Sequence, residues 1–272
     1  METSFKEFKS DKFDVSDAES LSLFIYPNSL LVFVHDKNRT IKAAFRFPRT
    51  NSSDLFSNLD QSPIGDIKVP IKVFNHLSNF VLVPGSLYVK GEEDTYLKFS
   101  DGGSEQIAFS SPIEGGKMYL IGSIDKEIRD TFSSRFDQIT FHHGCASFLD
   151  YIMNQKGNLL GQEVILNMVE NKLYGACFTD QELVSFGVFD LNEQEDLIKY
   201  PRALIAQHGY NPMHVRINIL GKSDGINTSE DWGKQYFKYF SELEPRPKQN
   251  LANGLESVKD FGFLEAFWQF DE

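Results

Sequence analysis

Cysteine is nearly absent from this chain: its 272 residues include two, Cys145 and Cys177, in unrelated contexts. Two distant cysteines cannot form the dense disulfide framework of small secreted domains, so the composition suits a reducing compartment. Long apolar runs are missing as well. The most apolar window, residues 21–34, is broken by Pro27 and Asn28 and falls short of the roughly 20 residues that span a bilayer. No membrane insertion is expected. The first twenty residues, METSFKEFKSDKFDVSDAES, mix both charge signs and lack the apolar core of a signal peptide; they read as a solvated arm, and the protein reads as cytoplasmic. Basic charge is the third shortage. Against 39 Asp and Glu stand 27 scattered Lys and Arg, a net charge of −12, which leaves no cationic stripe for DNA or RNA.

What the chain does have is apolar bulk, 41% of residues, enough for two packed lobes. Three strand signals follow one another from residue 21: LSLFI, LLVFVHD and TIKAAFRF, separated by the turns YPNS and DKNR. Alternation in the third and turn-forming residues between them predict a meander of hairpins. A polar stretch with a short helical pattern, SSDLFSNL, leads to the strand IKVF at 71–74. A comparable series starts at residue 162: QEVILNMV, KLYGACF, ELVSFGVF, a helix at about 193–208, and HVRINIL at 214–220. Leu31 then matches Leu173, Ile41 matches Leu183, and Val73 matches Ile217. The second helix is bounded by Asn192 or a neighbour as cap and by Gly209, with Pro201 inside.

Between the two series lie a predicted hairpin insertion at about 93–111, TYLKFSDGGSEQIAF with an Asp-Gly-Gly turn, then KMYLIGS, a helix over 125–134, QITFHH, and a helix ASFLDYIMN. Strands alternating with helices at this spacing predict α/β lobes with some parallel pairing. The lobes are placed at 1–157 and 158–272.

Three antiparallel strands, a helix and a further strand, present twice, form the organisation of actin-like ATPases, whose two lobes are ribonuclease-H-like. The chain resembles a family of uncharacterised bacterial proteins with that fold. The residues that carry the resemblance are FNHLSNFVLVPGSLY at 74–88, HHGCASFLDYIMN at 142–154 and KLYGACFTDQELVSFGVFDLNEQEDLIKY at 172–200. The fold so implied is α/β, an actin-like ATPase fold in which each lobe has a mixed sheet, an antiparallel three-strand meander plus parallel strands, flanked by helices.

The resemblance also supplies a template for chemistry, because proteins of this fold bind ATP with Mg at turns following particular strands. Such turns use Gly to bring backbone near phosphate and an acid to organise the metal. Here the first turn is YPNS, without Gly and with Pro27 lacking an N–H. Its counterpart is Met168-Val169-Glu170-Asn171, where Glu170 is the one group able to approach a metal. The turn after HVRINIL does better: Gly221, Ser223 and Gly225 stand where an adenosine-binding turn belongs, with Lys222 in place of a second Gly. Gly221-Lys222-Ser223 is no P-loop, since Arg216 occupies the position that motif reserves for Gly.

His142, His143 and Cys145 are the densest set of metal-ligand residue types, but adjacent strand residues face opposite sides, and Cys145 opens an apolar helix as a packed residue. No G-x-S-x-G elbow or paired carboxylates appear, so no catalytic or metal residue is assigned. In the tail, FGFLEAFWQFDE, residues Phe263, Leu264, Phe267 and Trp268 would share one face of a short helix. That face either completes a core or anchors a protein partner or a second copy of the chain. The resulting expectation is a non-catalytic cytoplasmic binding or scaffolding protein, a pseudo-ATPase that needs no cofactor, with an ATP-binding protein of atypical loops as the alternative.

Overall fold

The structure, a computed structural model, describes residues 5–11, 13–49, 57, 59–60, 62–98 and 106–271. It divides into two compact units: Met1–Ala146 with Gln249–Asp260 and Phe270–Glu272, and Ser147–Lys248 with Phe261–Gln269.

The first unit is built on the predicted meander. Strands β2 (Ser20–Ile25), β3 (Ser29–His35) and β4 (Thr40–Pro48) pair antiparallel, β5 (Ile71–Asn75) pairs parallel to β2, and β9 (Ile139–His143) pairs parallel to β5. The middle strands are buried on both faces, which is why LLVFV reads as one unbroken apolar run. One face carries Leu23, Val32, Phe45, Val73 and Phe132, the other the stacked rings of Phe24 and Phe74 at 4.6 Å.

The solvated arm proves partly structured. Residues Lys6–Lys9 form β1, paired antiparallel to β4. Its charged side chains stay in solvent while its backbone satisfies a sheet edge, so hydrophobic patterning carries no trace of it. A short strand β15 (Asn250–Leu251) pairs parallel to β4 at Thr40 and Ile41.

A second, three-stranded sheet in this unit runs β6 (Phe80–Pro84), β8 (Met118–Asp125), β7 (Gln106–Ile113). Here the expected hairpin is corrected: β7 pairs with β8, and Glu93–Leu97, read in part as a strand, is a short helix, α1. Acids at Glu93 and Asp94 in its first turn favour the helix, and Glu93 accepts a 2.5 Å hydrogen bond from the Tyr88 hydroxyl. The Asp-Gly-Gly turn and most of SSDLFSNL lie outside the described residues. Helix α2 (Lys126–Arg135) begins where predicted, with the Asp125 carboxylate accepting from the Glu127 N–H at 2.8 Å.

The second unit repeats the plan. Strands β10 (Gln162–Val169), β11 (Lys172–Thr179) and β12 (Glu182–Asp190) form an antiparallel meander, and α4 (Asp196–Gln207) crosses to β13 (Arg216–Leu220), parallel to β10. Strand β14 (Tyr239–Glu242) adds parallel to β13. Helix α3 (Ala146–Gln155) precedes the meander, and a single turn, α5 (Glu230–Gly233), precedes β14. Leu197, Leu204 and Ile205 of α4 enter the core, and Gly209 ends it at φ 62°. Its start is held by Asp196, whose carboxylate accepts from the Asn192 and Glu193 N–H groups.

Counted from the hairpin tips, Pro27-Asn28 corresponds to Glu170-Asn171, so Leu31 corresponds to Tyr174. The sequence match of Leu31 to Leu173 is one residue out of step. Since side chains alternate across a strand, that slip exchanges the two faces.

Candidate functional site

The turns that the fold makes relevant are local features of each unit. In the first, the Tyr26 N–H donates to the Ser29 carbonyl at 2.9 Å and closes the hairpin. What converges at its tip are acceptors. The Arg49 guanidinium donates to the Pro27 carbonyl at 3.0 Å and the Tyr26 carbonyl at 3.5 Å, while the Arg49 N–H donates to the Asn28 carbonyl at 2.9 Å. A phosphate needs converging donors, and this turn presents the opposite polarity.

In the second unit, Glu170 sits at the β10–β11 tip with φ 54°, a left-handed backbone unusual for Glu. Two residues inside the strand, Asn167 is 1% exposed and directly opposite Tyr174. Its counterpart in the first unit is Phe24, opposite Leu31. Asn167 thus places a neutral carboxamide near the strand end, where an acid would be needed to organise a metal. No hydrogen bond is made to its Oδ1 among the described residues. Sequence reasoning missed this residue; a lone polar letter in VILNMV was the available signal.

Gly221 meets this hairpin. It has φ 81°, and a Cβ there would stand 2.3 Å from the Met168 carbonyl and 3.2 Å from the Asn167 Oδ1, so only Gly permits the approach. On the other side of the same turn, Gly262 of the tail lies against Lys222: a Cβ at Gly262 would fall 2.7 Å from the Lys222 Cβ. The turn is therefore held between the β10 backbone and the chain's own tail. Ser223 is half-buried and its carbonyl accepts from the Ile226 N–H at 3.2 Å. Gly225 is exposed with open space around it. Of the residues assigned from sequence to a nucleotide turn, Gly221 packs against the β10–β11 hairpin, whereas Gly225 stands in open space.

The tail itself is not the amphipathic helix expected. It forms two short 3-10 turns, Glu256–Phe261 and Leu264–Ala266, interrupted by Gly262 at φ 73°. Glu265 is as buried as Leu264, so the segment has no polar face for an amphipathic helix to keep in water. Phe263 and Trp268 are buried and Phe267 is half-buried. The Trp268 indole donates to the Asp150 carboxylate at 2.7 Å, packs edge-on against Tyr151, and carries the Lys248 ammonium 4.8 Å above its ring.

His142 and His143 diverge as their positions dictate. His142 Nδ1 lies 2.8 Å from the Ser111 hydroxyl. His143 Nε2 lies 2.9 Å from the Ser78 carbonyl, which can only accept, so Nε2 carries the proton and Nδ1 accepts from the Cys145 N–H and thiol. Burial lowers both imidazoles to about 3, with Lys72 adding to the effect at His142 and His76 opposing charge at His143. Both rings and Cys145 are at most 1% exposed, so the pair is sealed from any substrate. Among the described residues no group of three or more His, Cys, Asp and Glu gathers to hold a metal ion, and no helix is long and apolar enough to cross a membrane.

A family model described as a protein of unknown function, DUF3822, matches residues 9–243. No curated protein matches the sequence. Among solved structures, a Bacteroides thetaiotaomicron VPI-5482 protein with an actin-like ATPase fold and unknown function superposes with a TM-score of 0.73 at 14% identity, over 85% of this chain and 93% of its own. A chain of the PilM–PilN type IV pilus biogenesis complex superposes with a TM-score of 0.57 at 8% identity, over 92% of this chain and 95% of its own. At these identities the likeness establishes the fold: this is an actin-like ATPase fold.

Proposed function

Because the chain belongs to the DUF3822 family of proteins of unknown function, we propose, from its own geometry, that it is a non-catalytic cytoplasmic binding or scaffolding protein, a pseudo-ATPase on an actin-like fold. The observation that carries this reading is the Gly221-Lys222 turn, closed by the Met168 carbonyl on one side and by Gly262 on the other. The remaining turns support it. The first unit turns carbonyls toward the tip, where phosphate needs N–H donors, and the Arg49 guanidinium there donates to those carbonyls. The second offers neutral Asn167 where Mg needs an acid. These residues do not fit ATP with Mg. Each lobe of the duplicated fold then acts as a rigid platform, and function lies in what it holds: a protein partner or a second copy of the chain. A neighbour of the same fold occurs in the PilM–PilN complex, which is consistent with such a role.

One observation favours the alternative, an ATP-binding protein with atypical loops. The Asn167 Oδ1, buried and beside Gly221, is an acceptor that a ligand hydroxyl or amine would satisfy. Phosphate release from ATP with Mg²⁺ separates the two. The proposal expects none above background; release that is lost in Glu170→Gln or Ser223→Ala would overturn it.

A further inference from the structure

Sheets with parallel strands are normally covered on both faces and apolar on both. The second unit departs from this at β13 and β14. Register places Glu163, Arg216 and Tyr239 in one row and Ile165, Asn218 and Ser241 in the next. All six lie on one face, opposite Val164, Ile217 and Phe240, which join the core with α4. On this face α3 contributes Tyr151 and Ile152 beside Ile165, and between them, the β13–β14 surface and the segment after β14 lies a pocket of about 670 Å³. That volume suits a small molecule.

The pocket is cationic in an acidic protein. Arg216, Lys234, Lys238 and Arg246 border it, against Glu163 and Glu244, while the chain as a whole carries −12. Glu163 is already committed: it is 3% exposed, accepts from the Leu160 N–H at 2.6 Å and from the Asn218 amide at 2.8 Å, and lies 3.9 Å from Arg216. These bonds fix the Asn218 carboxamide in the pocket wall. Lys234 pairs with Glu230. The ion pairs among the described residues engage neither Lys238 nor Arg246. The segment bearing Arg246 is anchored, since its backbone N–H donates to the Tyr151 phenol.

We propose that this pocket binds a small organic anion with at least two negative charges, carried on phosphate or carboxylate groups. Arg216, Lys238 and Arg246 contact the charges, Asn218 and Ser241 offer neutral hydrogen bonds, and Tyr151 and Tyr239 form flat walls for the rest of the molecule. The site lies at the Arg216 end of β13, and Arg216 is roughly 16 Å along the strand from the Gly221 turn, so it is separate from the nucleotide question.

Pyrophosphate and citrate are the probes, titrated calorimetrically into the full-length protein at low ionic strength. Saturable one-site binding of either is expected, weakened about tenfold or more in K238Q/R246Q, whose side chains are exposed. Binding of one probe alone would assign the ligand to the phosphate or the carboxylate class. Should that variant melt early, Ser241→Asp, which adds a negative charge to the wall, must weaken binding in its place. No saturable binding of either probe, or equal affinity in the variants, overturns the proposal.

Discussion

Acidification should destabilise this protein well above the pH at which carboxylates titrate. Burial lowers His35 from an ordinary value of 6.5 to about 4, and His142 and His143 to about 3. In the unfolded chain each would take up its proton near 6.5, whereas in the folded chain each stays neutral. The unfolded state therefore binds more protons below pH 6.5, and stability falls as pH drops from 6.5 toward 3 to 4. At pH 5 each imidazole contributes a loss of about 2 kcal/mol, and the three together about 6 kcal/mol. That is a large part of the roughly 5–15 kcal/mol that stabilises a domain. The carboxylates with shifted values, Asp14, Asp36, Asp196, Asp271 and Glu93, are all held below their ordinary range. Their stabilisation is present above that range and is lost only at lower pH, so they do not interfere between pH 7 and 5. Urea unfolding at pH 7, 6 and 5 measures the effect as a falling midpoint at constant slope. His142→Gln should remove about a third of the pH dependence. A midpoint unchanged from pH 7 to 5 would refute the assignment of three neutral buried imidazoles.

Other predictions concern the turns and the tail. Gly221→Ala should lower stability by about 2 kcal/mol or more, with or without nucleotide, because its Cβ would meet the Met168 carbonyl at a backbone angle that disfavours side chains; an unchanged thermal midpoint would contradict the close approach. Trp268→Ala should cost about 3 kcal/mol or more through loss of its packing and its bond to Asp150, and Phe267→Ala less, since that ring is half-buried; equal losses in chemical denaturation would argue against the packed tail. Arg49→Ala should cost about 1–2 kcal/mol by leaving the carbonyls of the first turn without their donor, and a neutral result would remove the guanidinium from that turn.

Much of the architecture was legible because its strands declare themselves. TIKAAFRF alternates, LLVFV is buried on both faces, and both meanders carry recognisable turn residues. What stayed hidden was structure held by backbone or by distant parts of the chain. β1 adds charged residues to an edge, so its pairing leaves no hydrophobic pattern. Glu93–Leu97 has too few residues for periodicity to separate helix from strand. The tail's apolar spacing fits a helix, yet burial of Glu265 and the left-handed Gly262 break it into turns. Gly221 was singled out from sequence because the resemblance places an adenosine-binding turn after HVRINIL. Its neighbours Asn167 and Gly262 come from segments far away in the chain. The pocket residues Arg216 and Asn218 look like the solvent face of an alternating strand, and only β14, a four-residue strand with no strong sequence signal, gives them company.

Equilibrium binding of fluorescently labelled ATP in the presence of Mg²⁺ tests the central claim most directly. The closed Gly221-Lys222 turn, the neutral Asn167 and the acceptor-lined first turn predict no saturable binding up to millimolar nucleotide, a ceiling of roughly 4 kcal/mol of affinity. Saturable binding at micromolar nucleotide that requires Mg²⁺ and is lost in Asn167→Leu would contradict it.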